Sequence, residues 1–278
     1  MLGFFEFRQN FLPWLLIAMG FVVLLCFCCS LRLKLRSYRM VSPKIKTPQR
    51  LMVLSDLHSS SFGKNQRRLL QLVEDTNPDF ILFPGDTVDD LRPREPAFYL
   101  LEQLAENYPC LLVTGNHEYR TYRMDVLKQQ IIDLGVMVLA NQSAASEHVS
   151  VHGLEDPEGV EDLFAGRLEQ LAKNVNKEAF NILLTHRPER FEEYIPYGFD
   201  LVLCGHTHGG QWRLPGVVEG LFATGQGLFP TYVGGSYEKD GCRMIVSRGL
   251  SKKHIWIPRI FNPPEAVLVQ LLPKNEAE

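Results

Sequence analysis

The chain contains eight histidines, and five of them stand where an apolar run gives way to a polar turn. His58 closes "SDLH", His117 lies in "GNHE", His186 ends "ILLTH", and His206 and His208 share "CGHTHGG". Three oxygen donors hold matching places: Asp56 just ahead of His58, Asp86 in "PGD", and Asn116 beside His117. Imidazole nitrogens with carboxylate and amide oxygens, and no thiolate, make a donor set suited to Mn, Fe, Zn or Co. Singly, each residue has an ordinary explanation, because Asp and Asn favour turns and a histidine is more often a hydrogen-bonded structural group. Coincidence accounts poorly for all of them together. His148, His152 and His254 keep the structural reading.

The elements that position these donors follow a repeated pattern of short apolar run, polar turn and helical stretch. Leu51–Ser55, Phe80–Asp86, Cys110–Asn116, Phe180–His186 and Phe199–His206 read as buried strands. Helical periodicity covers Lys64–Thr76, about Pro96–Glu106, Met124–Leu134, about Glu161–Lys173 and "PERFEEY". "VMVLAN" and "HVSVHG" read as a strand pair, "TYVGGSYEKDGCRMIVSRG" as a hairpin turning at Lys239-Asp240-Gly241, and "AVLVQLL" as a last strand. Alternating strands and helices indicate α/β layers, and the hairpin-rich end indicates a mixed sheet. In such layers ligand crevices open at the carboxyl ends of strands, so five strands deliver their donors to one rim.

In this order, "DLH", "GD", "GNHE", a lone histidine after an apolar strand and "GHTH" resemble the calcineurin-like metallophosphoesterases, from Leu51 to the C-terminus. "GHTHGGQWRLPG", "SRGL" and "PRIFNPPE" further resemble a bacterial, membrane-associated phosphodiesterase-like branch. The resemblance implies a layered sandwich of two mixed β-sheets flanked by helices, and two divalent ions. Carried over residue by residue, Asp56, His58 and His208 hold one ion, Asn116, His186 and His206 the other, and Asp86 bridges them. A shared carboxylate offsets part of the repulsion between neighbouring dications. Water held by both loses its proton far more readily than bulk water, and the hydroxide attacks phosphorus. The resemblance makes His117 a non-ligand that stabilises the transferring phosphate or protonates the leaving oxygen, with Asp56 orienting it. Glu118 then supports the ligands from behind. His206 and His208 share a tight turn so as to reach different ions, with Gly205, Gly209 and Gly210 letting backbone pass close by. Arg213 and Arg248 are candidate forks for a substrate phosphate, or else ordinary ion-pair arginines. Phe222, Phe229, Trp256 and Phe261 are expected in the core.

Composition sets the outer bounds. A formal charge of −3 provides no basic field to draw nucleic acid, so nucleic acid is not the default partner. Phe11 to Leu31 carries no charged side chain and is long enough to cross a bilayer, which predicts one transmembrane helix after a short segment at 1–10. Arg32, Lys34, Arg36, Arg39, Lys44, Lys46 and Arg50 make 32–50 a basic linker. The positive-inside rule then places a catalytic domain at 51–278 in the cytoplasm of a single-pass membrane protein. Cys26, Cys28 and Cys29 fall in the span; Cys110, Cys204 and Cys242 show no disulfide framework, which suits a reducing compartment. The resulting expectation is a membrane-anchored dinuclear phosphoesterase acting on a phosphodiester or pyrophosphate, with the anchor favouring a lipid-linked substrate. The alternative is a non-catalytic docking protein on the same fold, which should lack ligands or the acid. A non-haem iron oxygenase would leave most of the donor set unused. The sequence selects neither the metal nor the oligomeric state.

Overall fold

Strands read as unbroken apolar runs here because both of their faces are covered. The computed structural model describes residues 13–17, 19–21, 32–146, 148–251, 253–254 and 257–274. One six-stranded sheet orders its strands Lys34–Ser42, Glu265–Pro273, Gln49–Val53, Phe80–Pro84, Cys110–Val113, Met137–Val138. The other orders them Gly235–Lys239, Cys242–Val246, Leu201–Cys204, Phe180–Leu184, Val149–Gly153, Gln142–Ala145. In each sheet the inner strands that lead to the site run parallel, so their carboxyl ends share one edge.

Side-chain alternation divides each strand between two cores. Leu51, Val53, Leu82 and Val113 meet Ile182, Leu184, Leu201 and Leu203 in the layer between the sheets. Their neighbours Met52, Ile81, Phe83 and Leu112 pack against Leu69, Val73, Leu100 and Ile131 on the covering helices. On the opposite outer face Leu183, Val202 and Cys204 meet Phe164, Leu168, Phe191 and Tyr194. Each such side chain contributes ~1.5–3 kcal/mol, which makes the strands a firm mount for the loops they end in.

Several expectations are corrected. "VMVLAN" and "HVSVHG" do not pair: Met137–Val138 lies beside Cys110–Val113, whereas Val149–Gly153 belongs to the second sheet, where its antiparallel partner is Gln142–Ala145. The basic stretch at 32–50 is no mere linker, since Lys34–Ser42 forms an edge strand parallel to Glu265–Pro273. Its charges suit a sheet edge that must not pair further. The helix expected from Lys64 begins at Arg67, because Asn65 and Gln66 have left-handed backbones (φ 51° and 54°) and buried Gln66 bonds back to Ser60 and Pro96. Phe222, Phe229 and Phe261 are exposed instead of core, while Trp256 lies outside the described residues. The hairpin turns at Asp240 and Gly241, whose positive φ angles (48° and 78°) fit a two-residue turn.

Most of the predicted membrane span, with Cys26, Cys28 and Cys29, lies outside the described residues; within it, 13–17 and 19–21 are helical. Among the described residues no helix is long and apolar enough to cross a membrane. This overturns the expectation of a single-pass membrane protein with a cytoplasmic catalytic domain. Cys110, Cys204 and Cys242 are buried free thiols.

Candidate metal centre

The strands stop just short of the donors: Val53, Pro84, Val113, Leu184 and Cys204 are the last strand residues, and the chemistry sits on the loops that follow. Asp56, His58, Asp86, Asn116, His186, His206 and His208 are all buried at this rim. Five of the seven have positive φ: Asp56 50°, His58 46°, Asp86 53°, His206 70° and His208 48°. Such backbones cost non-glycine residues about 1–3 kcal/mol each and persist only where surrounding structure enforces them, a pattern concentrated at ligand-holding sites.

Three groups of donors converge among the described residues, one of them His58 with Asp89 and His117. Asp56, His58 and His208 present ligand atoms within 4.8 Å of one another, and so do Asp86, His186 and His206. His58 Nε2 lies 3.3 Å from His208 Nε2 and 3.5 Å from Asp86 Oδ2. His186 Nε2 lies 3.2 Å from Asp86 Oδ2, 3.2 Å from Asn116 Oδ1 and 3.1 Å from His206 Nδ1. Asp86 thus stands between the groups, and the seven donors implied by the resemblance form one continuous cluster.

Hydrogen bonds around the cluster fix the tautomers. His58 donates from Nδ1 to Asp89 Oδ2 (3.1 Å), and His186 donates from Nδ1 to the Pro84 carbonyl (2.8 Å). With Nδ1–H spent there, each ring turns its Nε2 toward a carboxylate, the atom from which a bound cation would displace a proton. Supporting acceptors of this kind orient metal-bound histidines, and the carboxylates that Nε2 faces demand positive charge between them, from a proton or from a cation. Charge reports the same demand. Burial opposes ionisation of His186, but Asp86 and Asp56 lift it to about 10. Burial together with the positive charges of His186 and Arg187 holds His206 well below the usual range, and its buried Nε2 has no hydrogen-bond partner. Burial would raise Asp86, yet His186 and His58 hold it well below the carboxylate range.

The surroundings lock the loops. Asp56 accepts from Ser55 Oγ (2.5 Å) and His206 N (2.9 Å). A Cβ at Gly205 would lie 1.9 Å from Ser55 Oγ and 2.2 Å from Asp56 Oδ2, so only glycine admits this approach. Gly210 serves differently from expectation, since a Cβ there would lie 2.4 Å from the Gly220 backbone and not against the ligands. Glu118 receives Asp86 N (2.9 Å) and Gly115 N (2.8 Å) on one oxygen and Val88 N (2.8 Å) on the other. It joins the second and third strand-end loops, while burial and Asp86 push its carboxyl up to about 7.

His117 is the least buried of the signature residues, at 8% exposure. Its Nδ1 donates to Asp90 Oδ1 (2.7 Å), and its ring meets His58 edge-on at 4.4 Å between centroids. Asp90 therefore takes the orienting place expected of Asp56, whose oxygens face Ser55 and His206. Arg213 is not an open fork, because it pairs with Glu219 and the Gly209 carbonyl, while Arg248 has its Nε 3.6 Å from Glu265. Sequence reasoning missed Asp89, Asp90, Arg259 and Asn262. Buried Arg259 donates to the carbonyls of Ser251, Arg248 and Gly249 and, at 3.5 Å, to that of His208, and Asn262 donates to those of His208 and Gln211, so both pin the last ligand loop. "TVDD" and "PRIFN" offered the only sequence signal for these four.

Residues 49–210 match the family described as calcineurin-like phosphoesterase. An uncharacterized metallophosphoesterase of Aquifex aeolicus is 31% identical over 259 residues, covering 87% of this chain and 93% of that protein. The uncharacterized metallophosphoesterase Cj0846 of Campylobacter jejuni is 30% identical over 244 residues, but the chain spans only 62% of its length. The phosphodiesterase YaeI of Escherichia coli is 33% identical over 184 residues, 62% of this chain and 65% of that protein. Among solved structures, TT1561 of Thermus thermophilus shares the fold at TM-score 0.50 and 14% identity, over 74% of this chain and 92% of that one.

Proposed function

The chain belongs to the calcineurin-like phosphoesterases, hydrolases of phosphoester bonds, and on that premise we propose that it cleaves a phosphodiester or pyrophosphate bond at a centre of two divalent ions. Asp56, His58 and His208 would hold one ion and Asn116, His186 and His206 the other, with Asp86 standing between the two groups. One observation carries the proposal: the Nε2 atoms of His58 and His186 stand 3.5 and 3.2 Å from the same oxygen of Asp86, each with its Nδ1–H spent elsewhere. When bound, such ions supply positive charge for the phosphoryl oxygens and make water acidic enough to attack. Asp89 and the Pro84 carbonyl hold His58 and His186 in the ligating tautomer. Asp90 orients His117, whose Nε2 holds the proton to be given to the departing oxygen. The donor chemistry suits Mn, Fe, Zn or Co. The Escherichia coli relative is named a phosphodiesterase, which favours the diester over the pyrophosphate. A lipid-linked substrate loses the support that the membrane span gave it, so the proposal rests on the site alone.

The test is hydrolysis of an aryl phosphodiester with added Mn²⁺. His117→Ala should lower kcat by about 10²–10⁴ and leave bound metal unchanged, whereas Asp86→Ala should abolish turnover together with metal binding. Full turnover in either variant contradicts the assignment, as does inactivity of the native chain across metals, phosphodiesters and pyrophosphates.

A further inference from the structure

On the second sheet, away from the ligand loops, buried His152 lies between Ser143 and Asn181. Ser143 Oγ is 2.9 Å from His152 Nδ1, and His152 Nε2 is 3.1 Å from Asn181 Oδ1. The Asn181 amide has a fixed orientation, because its Nδ2 donates to the carbonyls of Asn176 and Ala179, both at 2.8 Å. Its oxygen must therefore accept from His152, which puts the imidazole proton on Nε2 and leaves Nδ1 with a lone pair. The hydroxyl that meets this lone pair can only donate. A hydroxyl donating to an imidazole whose far nitrogen is held by a third group is the arrangement of an activated serine.

Strand geometry brings the pair together and leaves it accessible. Ser143 and His152 are cross-strand partners at the sheet edge. Counting back along the ladder from the Ser146 N–H donated to the Val149 carbonyl, their pair falls at a non-hydrogen-bonded position, where facing side chains stand closest. At such a position the Ser143 N–H points off the sheet edge. Ser143 is exposed, beside an open hollow of about 480 Å³ that His152 and Asn174 also line. Asn174 Nδ2 donates to Ser143 Oγ at 3.2 Å and so fixes where that oxygen stands.

We propose that Ser143, His152 and Asn181 form a second, metal-independent hydrolytic site that takes small carboxylic esters. Ser143 Oγ bonds to the acyl carbon as its proton passes to His152 Nδ1. The ester C–O bond then breaks, and the alcohol leaves with that proton. Water, deprotonated by the same nitrogen, releases the acid and restores the serine. Asn181 is a positioning residue, and neither it nor the other two touch the metal cluster, so the phosphoesterase reading can fail without affecting this one.

The test treats the full chain with excess chelator, then with an alkyl fluorophosphonate or 4-nitrophenyl acetate. The expected results are a single phosphonyl adduct on Ser143, located by peptide mass spectrometry, and ester hydrolysis that falls at least ~10²-fold in Ser143→Ala. Nitrogen NMR should show His152 protonated at Nε2 and bare at Nδ1, with that preference lost in Asn181→Leu, a signature that packing alone would not produce. Circular dichroism of Ser143→Ala, a change at an exposed side chain, should match the native spectrum. An adduct only at other residues, no adduct at all, or hydrolysis undiminished in Ser143→Ala overturns the proposal.

Discussion

Replacing Asp89 by asparagine should weaken metal binding although Asp89 is not one of the seven ligands. Asp89 uses both oxygens as acceptors: Oδ2 receives His58 Nδ1–H at 3.1 Å, and Oδ1 receives Leu91 N at 2.9 Å and Arg92 N at 3.0 Å. Asparagine has one acceptor oxygen, so it satisfies the loop or the histidine but not both. If the oxygen keeps the loop, the amide NH₂ faces His58 Nδ1 and drives the proton to Nε2, the atom needed by the cation. Loss of an outer-shell partner of this kind costs about 10–100-fold in metal affinity, or ~1.4–2.7 kcal/mol. Burial would raise Asp89, yet the hydrogen bonds from His58 and Leu91 hold it at about 2. The folded value lies below the ordinary 3.8, so the stabilisation from its charge is complete above that pH and lost only as pH falls through about 2. Isothermal titration of Mn²⁺ into native and Asp89→Asn protein reads the affinity difference directly. Equal affinities for both ions in the two proteins would refute the claim that Asp89 sets the His58 tautomer.

Two further outcomes follow from the same hydrogen-bond accounting. Glu118→Gln leaves one oxygen for three buried backbone N–H groups, from Asp86, Gly115 and Val88, and should cost ~1–3 kcal/mol; calorimetry should show a Tm lower by ~2–4 °C per kcal/mol, and an unchanged Tm would contradict it. Burial pushes His152 below its ordinary 6.5, against a smaller upward effect of Asn181, so the unfolded chain binds more protons than the folded one. The stabilisation from its neutral form is present above pH 6.5 and lost as pH falls toward the lowered folded value. Urea unfolding between pH 7.5 and 5.5 should accordingly show native protein losing more stability than His152→Gln; parallel losses would contradict the buried neutral state.

Much of the site is legible in the sequence because its chemistry sits in short blocks, each at the end of an apolar run. Asp56 with His58, Asn116 with His117, and His206 with His208 announce themselves by local spacing, and parallel strands with covered faces carry all of them to one rim. What supports them is less visible, since support is a matter of tertiary proximity. Asp89 and Asp90 look like ordinary turn residues until the loop folds over His58 and His117. Arg259 and Asn262 act on His208 from more than fifty residues away. The edge strand Lys34–Ser42 was hidden for a related reason, because its partner Glu265–Pro273 lies at the other end of the chain and its exposed, basic pattern resembles a linker. Exposed Phe222 and Phe229 mark where hydrophobicity alone misleads, for apolar residues are common on surfaces.

The central claim is that the seven donors cage two cations around Asp86. Metal content of the purified full chain, measured by plasma mass spectrometry after saturation with Mn²⁺ and removal of excess, tests it most directly. Two ions per native chain, and fewer than one in Asp86→Ala, are the predicted result. One ion per native chain, none, or a stoichiometry that Asp86→Ala leaves unchanged would contradict it.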